Sequence, residues 1–212
     1  MTTSRTTLRG WLRIDRMTSM RLVLAAWMAL LCPSLALAQA AGARPKPAAP
    51  AAAPAQPTPG AGPVIVVETV KGTFEFETYP DQAPRTVEHI LALVKRNFYN
   101  GLRFHRVEPG FVIQVGDPNT RDYTKKHLWG TGGSGKPVGL SELSRKRLHV
   151  KGAVAMAHSG NPAQADAQWY VALNPVHRLD GKYVVFGRVL NGLDVTTQIR
   201  VGDVIRKMYV KP

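Results

Sequence analysis

Two polar side chains stand in a stretch that otherwise has the character of a buried strand, FHRVEPGFVIQVGDP at residues 104–118. Arg106 precedes an apolar, strand-favouring run at 111–115, and Gln114 lies inside that run. Arginine is always charged and carries five N–H donors in a rigid fork, while glutamine both donates and accepts hydrogen bonds. Val112 and Gln114 are two residues apart, so a strand would present them on the same face. A long cation and an amide are out of place on a surface that is otherwise apolar, so these two side chains are candidates for contact with a substrate.

A second candidate is the glycine-rich stretch GTGGSGKP at residues 130–137. It has the G-x-x-x-x-G-K spacing of a phosphate-binding loop, but Pro137 follows Lys136 where that loop needs a Ser or Thr hydroxyl for magnesium. The preceding letters HLW do not form a convincing buried strand. We therefore interpret this stretch as a glycine-rich surface loop rather than a nucleotide site.

The spacing of the residues gives little support for a metal site or for an activated nucleophile. The six histidines are His89, His105, His127, His149, His158 and His177. No pair of them has the H-x-x-x-H spacing or another standard ligand spacing. The only cysteine is Cys32, and no G-x-S-x-G motif marks an activated serine. We expect no metal site and no cofactor.

The folded part of the chain is basic, since residues 64–212 contain 21 Lys and Arg and 13 Asp and Glu, a net charge of +8. The strongest cluster, RKRLHVK at 145–151, has no aromatic side chains interleaved with it for stacking on bases. We interpret the charge as a solvated surface and the cluster as a charged strand edge that discourages edge pairing. We expect no nucleic-acid partner, although binding of nucleic acid or an anionic surface through net charge stays open as an alternative.

The first 38 residues have the pattern of a secretory signal peptide. Arg21 precedes an apolar run of about ten residues and an A-x-A site that ends at Ala38. We predict an N-terminal extension and signal peptide over 1–38, with cleavage after Ala38 or, as a second choice, after Ala40. The apolar run is short for a membrane span, which needs roughly 20 residues. An uncleaved anchor over residues 22–38 stays open as an alternative.

Residues 39–63, QAAGARPKPAAPAAAPAQPTPGAGP, contain only alanine, proline, glycine and a few polar residues, so they cannot form a core. Proline favours extended backbone, which predicts a semi-rigid linker. The signal and the linker together indicate an exported protein, in the periplasm of a bacterium, with secretion or N-terminal tethering as alternatives. After cleavage of the signal we expect no stable membrane insertion.

Residues 64–212 have the length of one domain with one core. Alternating apolar and polar residues at 64–79 predict an antiparallel hairpin. Pro84 and the apolar spacing after it predict an amphipathic helix, and 193–200 fits a second short helix. Further strand-like runs lie at 103–107, 111–115, 152–157, 168–173, 184–189 and 204–210. About eight short strands and two helices indicate a mostly β domain, whose strands would close into a barrel to remove their edges.

The stretch FHRVEPGFVIQVGDP resembles the cyclophilin signature F-H-R-x-x-P-G-F-x-x-Q-x-G-D at every fixed position. Other pieces of the family follow in the right order: GTGG at 130–133, G-x-x-x-MA at 152–157, a glutamine and two aromatics at 168–170, and LDGKYVVFGRV at 179–189. The resemblance covers residues 64–212. It implies a closed eight-stranded antiparallel barrel capped by two α-helices, and peptidyl-prolyl cis–trans isomerase activity without a cofactor.

The resemblance also implies roles for individual residues. The catalytic positions that match the family are Arg106, Phe111 and Gln114. The matching substrate-binding positions are Val112, Ala157, His158, Tyr170, Leu179 and Tyr183. In such a site the arginine donates to the prolyl nitrogen, the glutamine positions the arginine and the substrate backbone, and the apolar residues hold the proline ring. The expected partners are proline-containing segments of unfolded or folding proteins, and we expect a monomer.

Several positions depart from the family pattern. Tyr170 stands where phenylalanine is usual, Val112 where methionine is frequent, Arg178 where some relatives carry an aromatic residue, and Tyr183 where some carry histidine. The hydroxyl of Tyr170 could narrow the pocket or contact the substrate. The altered pocket keeps open a second interpretation, a non-catalytic module or chaperone that binds proline-containing peptides in the same groove.

Overall fold

The structure, a computed structural model, describes Thr58 and residues 61–212. The signal peptide predicted for 1–38, and most of the linker predicted for 39–63, lie outside these residues. In the part of the chain that is described, no helix is both long and apolar enough to cross a bilayer.

The described residues form eight strands, two α-helices and four short 3₁₀ helices. The strands are β1 (Val64–Thr69), β2 (Gly72–Thr78), β3 (Arg106–Glu108), β4 (Val112–Val115), β5 (Ala153–Met156), β6 (Trp169–Ala172), β7 (Val185–Asn191) and β8 (Ile205–Val210). The α-helices are α1 (Pro84–Lys95) and α2 (Leu193–Gln198), and the 3₁₀ helices span Pro118–Arg121, Tyr123–Leu128, Pro162–Gln164 and His177–Leu179. The predicted hairpin, the eight antiparallel strands and the two α-helices are confirmed, whereas the 3₁₀ helices were not predicted.

All eight strands belong to one antiparallel sheet with the order β3-β4-β6-β5-β7-β2-β1-β8. The predicted closed barrel is wrong, because β3 and β8 are the two edges and no ladder joins them in the described residues. Strand β3 has only three residues, and the chain before it meets the segment before β8 through the isolated bridge between Arg103 and Val204. The amide of Phe104 supports this bridge by donating to the carbonyl of Asp203 at 3.0 Å. The sheet is therefore an open, curled half-barrel.

Alternation along the central strands separates an inner face of the sheet from an outer face. On β4, Ile113 points into the main core and is fully buried. Val112 and Gln114 alternate with it and therefore face the opposite side. On β6, Trp169 belongs to the same main core, whereas Tyr170 belongs to a second, smaller cluster on the outer face. The outer face is the one that carries the predicted site residues.

Helix α1 begins at Pro84, where the missing amide proton of proline would have no helical partner. A distant carboxylate caps the first turn: Glu142 accepts hydrogen bonds from the amides of Arg85 at 2.9 Å and Thr86 at 2.8 Å. Carboxylates at this end of a helix are favoured by the free N–H groups and by the helix dipole. The apolar face of α1, which includes Ile90, packs into the main core.

A buried carboxylate fixes the chain before β1 to the C-terminal end of β2. Glu77 is fully buried, and its oxygens accept hydrogen bonds from the Thr58 amide at 3.0 Å, the Thr58 hydroxyl at 2.6 Å and the Tyr79 hydroxyl at 2.9 Å. A buried carboxylate is costly unless its oxygens are hydrogen-bonded. The amide of Gly62 also donates to the carbonyl of Thr78 at 2.6 Å. Thr58 and Gly62 lie in the range predicted as linker, so these residues of that range contact the domain.

We predict that Thr58→Val lowers the free energy of unfolding by about 1–3 kcal/mol, because the buried carboxylate of Glu77 loses one hydrogen-bond donor. Chemical denaturation of the full chain measures this loss. Thr73→Val is the matched control, since Thr73 is exposed at the start of β2 and its hydroxyl has no hydrogen bond in the described residues. Equal losses in the two variants would contradict the assignment.

Candidate active site

Four side chains form a row across four neighbouring strands on the outer face. The register pairs Arg106 of β3 with Gln114 of β4, Gln114 with Tyr170 of β6, and Tyr170 with Ala155 of β5. Directly opposed residues in antiparallel strands have their Cβ atoms about 4.5–5.5 Å apart. The row therefore brings a cation, an amide and an aromatic ring together at one surface.

The Arg106 guanidinium is held on three sides. Its Nε and Nη2 donate to Oε1 of Glu108 at 2.8 and 2.5 Å, and its Nη1 donates to Oε1 of Gln114 at 3.4 Å. Its central carbon lies 5.7 Å from the ring centroid of Phe111, within the range of a cation–π contact. Since these bonds use three of the five N–H donors, one N–H on each Nη atom is left for another acceptor. The side chain is 47% exposed, so that acceptor can come from outside.

A relay of two glutamines connects Arg106 to the glycine-rich loop. Nε2 of Gln114 donates to Oε1 of Gln168 at 2.9 Å. Nε2 of Gln168 in turn donates to the carbonyls of Gly130 at 2.9 Å and Gly132 at 2.7 Å. Each amide group is oriented by the next, so the Gln114 oxygen is turned towards the guanidinium.

An apolar hollow opens beside the guanidinium. Its lining includes Phe111, Val112, Tyr170 and Leu179, and of these Val112 and Tyr170 are almost fully buried. The hollow belongs to a groove of about 790 Å³ that continues past Ala157 to the glycine-rich loop. All nine predicted site residues line this one groove.

The hydroxyl of Tyr170 points away from the groove into the body of the domain. It lies 2.9 Å from Nε2 of the fully buried His149. Nδ1 of His149 is 2.9 Å from Oδ1 of Asp180, so the ring proton is assigned to Nδ1 and the tyrosine donates to Nε2. Asp180 also accepts from the His149 amide at 2.7 Å and from Nδ1 of His177 at 2.8 Å. The hydroxyl that distinguishes Tyr170 from phenylalanine is thus satisfied behind the groove and does not narrow it.

The protonation states of the three hydrogen-bonded side chains Tyr170, His149 and Asp180 follow from their surroundings. Burial raises the pKa of the Tyr170 hydroxyl far above its ordinary value, so it stays a donor. Burial also lowers the pKa of His149, although the hydrogen bond to Asp180 opposes the shift. For Asp180, burial acts to raise the pKa, but hydrogen bonds from His149 and His177 outweigh it and hold the pKa at about 2. At neutral pH these three side chains are therefore a neutral tyrosine, a neutral histidine and a carboxylate.

His158 and Tyr183 form an aromatic part of the groove wall. Their rings are stacked with centroids 4.4 Å apart, and Nε2 of His158 donates to the carbonyl of Lys182 at 3.0 Å. Tyr183 also meets the ring of Tyr170 edge-on at 5.9 Å. These contacts fix both side chains beside Ala157, whose amide donates to the carbonyl of Gln168 at 2.9 Å.

No group of three or more His, Cys, Asp or Glu side chains is placed to hold a metal ion in the described residues. The groove offers a fixed cation with free N–H donors next to an apolar hollow, and the half-buried residue Ala157 lies along the same groove. This combination suits an extended peptide with one apolar ring-shaped side chain.

Comparison with known proteins identifies the family. The family model described as "Cyclophilin type peptidyl-prolyl cis-trans isomerase/CLD" matches residues 64–211. The chain belongs to the cyclophilin family. It is therefore a cyclophilin-type peptidyl-prolyl cis–trans isomerase, as its sequence resemblance implied.

Individual relatives agree with this assignment. Peptidyl-prolyl cis-trans isomerase B of Bacillus subtilis is 38% identical over 137 residues, which cover 65% of this chain and 90% of that protein. A probable peptidyl-prolyl cis-trans isomerase of Brucella abortus is 36% identical over 150 residues, which cover 69% of this chain and 76% of that protein. The crystal structure of a Cryptosporidium parvum cyclophilin, 23% identical, has the same fold with a TM-score of 0.63 over 71% of this chain and 98% of its own.

The structure adds three residues to the cyclophilin site that our prediction lacks. Glu108 binds Arg106, Gln168 orients Gln114, and His149 binds the Tyr170 hydroxyl. A signal existed for Glu108, because it lies two residues from Arg106 on the same face of one strand. Gln168 was visible as part of a family motif. His149 had no such signal, because its partner lies 21 residues away in the sequence.

We predict that the free energy of unfolding falls as the pH drops below about 6.5, the ordinary pKa of histidine. The unfolded chain then binds a proton on His149 that the folded protein refuses, because burial lowers the pKa in the folded state. Burial lowers the pKa of His105 as well, so both histidines act in the same direction. Urea unfolding of the wild type at pH 7.5, 6.5 and 5.5 measures the decline.

The variant His149→Gln should show a shallower decline over this pH range, because its amide does not titrate. His127→Gln is the control, since His127 is an exposed histidine. A decline as steep in His149→Gln as in the wild type would assign the pH dependence to other groups.

Proposed function

We propose that this cyclophilin accelerates rotation about X-Pro bonds by donating a hydrogen bond from Arg106 to the prolyl nitrogen. The conjugated amide gives this rotation a barrier of about 18–20 kcal/mol. Uncatalysed isomerisation takes roughly tens to hundreds of seconds. No covalent bond is broken, so the catalyst needs only to bind the twisted state better than either planar state.

The observation that carries this proposal is the pair of N–H donors that Arg106 keeps beside the apolar hollow. In the twisted state the prolyl nitrogen becomes pyramidal and regains a lone pair, which can accept a hydrogen bond that the planar amide cannot. A preorganised charged donor aimed at that position stabilises the twisted state selectively. Arginine stays charged at every physiological pH, so the donor needs no activation.

The groove residues supply the remaining requirements of the reaction. Phe111, Val112 and Leu179 hold the proline ring, while Tyr170 closes the floor of the hollow. The half-buried backbone at Ala157 and His158 lies beside the residue that precedes proline. With the ring held on one side and the backbone on the other, rotation is confined to the bond between them.

One observation favours the alternative of a binding module that does not turn over. Two of the three hydrogen bonds of Arg106 go to the carboxylate of Glu108, and one goes to Gln114. A carboxylate partner draws the guanidinium towards itself and weakens its donation to a neutral nitrogen. The groove would then hold proline-containing segments without speeding their rotation.

We further propose that the isomerase acts on exported proteins during their folding. Support comes from the sequence, in which the apolar run and the A-x-A site at Ala38 are followed by the proline-rich stretch of 39–63. Proteins that are exported unfolded begin to fold only after export. In the unfolded chain a sizeable fraction of X-Pro bonds is in the wrong isomer.

We predict that Arg106→Ala lowers kcat/KM on an Ala-Ala-Pro-Ala peptide by about 10²–10³-fold, because the transition state loses its charged donor. The same peptide should still bind, since its ring contacts are unchanged. NMR exchange spectroscopy on the peptide measures turnover, and chemical-shift titration measures binding. Arg96→Ala, an exposed arginine just after α1, is the control for loss of charge.

A wild-type protein that binds the peptide without speeding its exchange would support the binding module instead. Retention of full turnover in Arg106→Ala would refute the role of the arginine while leaving the isomerase assignment standing.

We predict that the mature protein recovered from the periplasm of a bacterial host begins at Gln39, or at Ala41 if the second site is used. Signal peptidases require small residues at the cleavage site, so Ala38→Asp should block the first cut. Intact mass spectrometry of the purified protein reads the N-terminus directly. Recovery of the uncleaved chain from the cytoplasm would exclude export.

A further inference from the structure

The groove is lined by three formally charged side chains, Arg106, Asp166 and Arg178, and two of them already have partners. Arg106 is bound by Glu108 and Gln114, as described above. Asp166 accepts hydrogen bonds from the Ser134 hydroxyl and the Gly135 amide and lies 3.3 Å from Nε2 of His89.

Arg178 differs from both, because no acidic side chain pairs with it in the described residues. Its guanidinium carbon lies 4.5 Å from the ring centroid of Phe111, which holds the cation over the groove rim by stacking. Asp180, the nearest carboxylate in the sequence, accepts hydrogen bonds from His149 and His177 instead. Arg178 is exposed to solvent, so its remaining N–H donors face outward.

Arg178 lies near the place that one end of a bound peptide would occupy. This step rests on the function proposed above, in which Phe111 and Leu179 hold the proline ring and Ala157 lies beside the preceding residue. From Ala157 the groove continues through Gln168 to the glycine-rich loop, so the chain before proline occupies that direction. On this path the chain after proline leaves the hollow on the side of Phe111, where Arg178 lies.

We propose that Arg178 makes this isomerase selective for X-Pro segments in which an acidic side chain follows the proline. A carboxylate one or two residues after proline can reach the stacked guanidinium and accept two parallel hydrogen bonds from it. The domain's net charge of +8 adds a general attraction for acidic segments. The contact with Arg178 determines where in such a segment the acidic side chain must lie relative to the proline. The substrate class is therefore proline-containing segments in which Asp or Glu follows the proline within one or two residues.

The expected preference is modest, because the contact is exposed to water. An exposed ion pair changes an equilibrium by about two- to fivefold. Salt at about 1 M shortens the Debye length to about 3 Å and should remove most of that preference.

The test uses the full chain and three peptides of the form Ala-Ala-Pro-Z-Ala, where Z is Glu, Gln or Lys. A fourth peptide, Ala-Glu-Pro-Gln-Ala, places the acid before proline. For each protein variant, the ratio of the Glu to the Gln peptide is taken both for kcat/KM by NMR exchange and for Kd by titration. We expect a ratio of about two to five in favour of Glu in the wild type at low salt.

The substitution Arg178→Gln should bring the Glu-to-Gln ratio to one, and Arg178→Lys should keep much of it. Arg178→Glu should bring the ratio below one and make the Lys peptide better than the Gln peptide. The control Arg206→Gln removes an equivalent exposed charge on β8, away from the groove, and should leave the ratio unchanged.

The inference is overturned if the wild-type ratio is one, if Arg178→Gln leaves the ratio unchanged, or if the preference follows the acid placed before proline. Because the ratio is also measured on Kd, a protein that binds these peptides without turning them over still gives an answer. In that case the isomerase mechanism fails, whereas a ratio that depends on Arg178 still supports the selectivity.

Discussion

The cyclophilin site depends on the register of four antiparallel strands, because that register alone aligns Arg106, Gln114, Tyr170 and Ala155 in one row. Side chains alternate between the faces of a strand, so a slip of one residue would exchange the two faces of β4. Ile113 would then leave the main core, and the amide of Gln114 would enter it. Burial of the inner residues therefore fixes the position of the outer ones, and the same apolar contacts that stabilise the sheet also align the side chains of the groove.

The glycine-rich loop shows how the same spacing can serve a purpose other than phosphate binding. In a phosphate-binding loop the free amides cradle an anion. Here the amides of Gly130 and Gly132 donate to Oδ2 of Asp117, a fully buried carboxylate, at 2.5 and 3.1 Å. A Cβ atom on Gly132 would lie 2.4 Å from Oδ1 of Asp117, so only glycine allows the approach. The anion is part of the protein, and the loop it anchors presents its carbonyls to Gln168.

Local patterns predicted the strands and both α-helices, because period-two alternation and helical spacing express what each element must bury. The residues that line the groove were predicted from the resemblance to the family's motifs. Local patterns did not predict that the sheet stays open, since closure depends on how the chain around Arg103 bends towards β8, and that bend has no local period. The hydroxyl of Tyr170 was the main uncertainty in the sequence. Its partner His149 and the anchor from Thr58 to Glu77 join distant segments, and such polar pairings become visible only once the backbone is placed.

The two arginines that contact Phe111 differ in their electrostatic surroundings. Under the proposals made above, this difference separates the catalytic arginine from the one that recognises acidic segments. Glu108 compensates the charge of Arg106, so this guanidinium has little tendency to trap a substrate carboxylate, although two of its N–H donors stay free. Arg178 lacks such a carboxylate partner in the described residues and keeps its attraction for anions. If both cations were uncompensated, an acidic side chain could occupy the position that the prolyl nitrogen needs. Under these proposals, the pairing of Arg106 and the lack of an acidic partner for Arg178 in the described residues direct acidic side chains to the rim and leave the hollow to the proline ring.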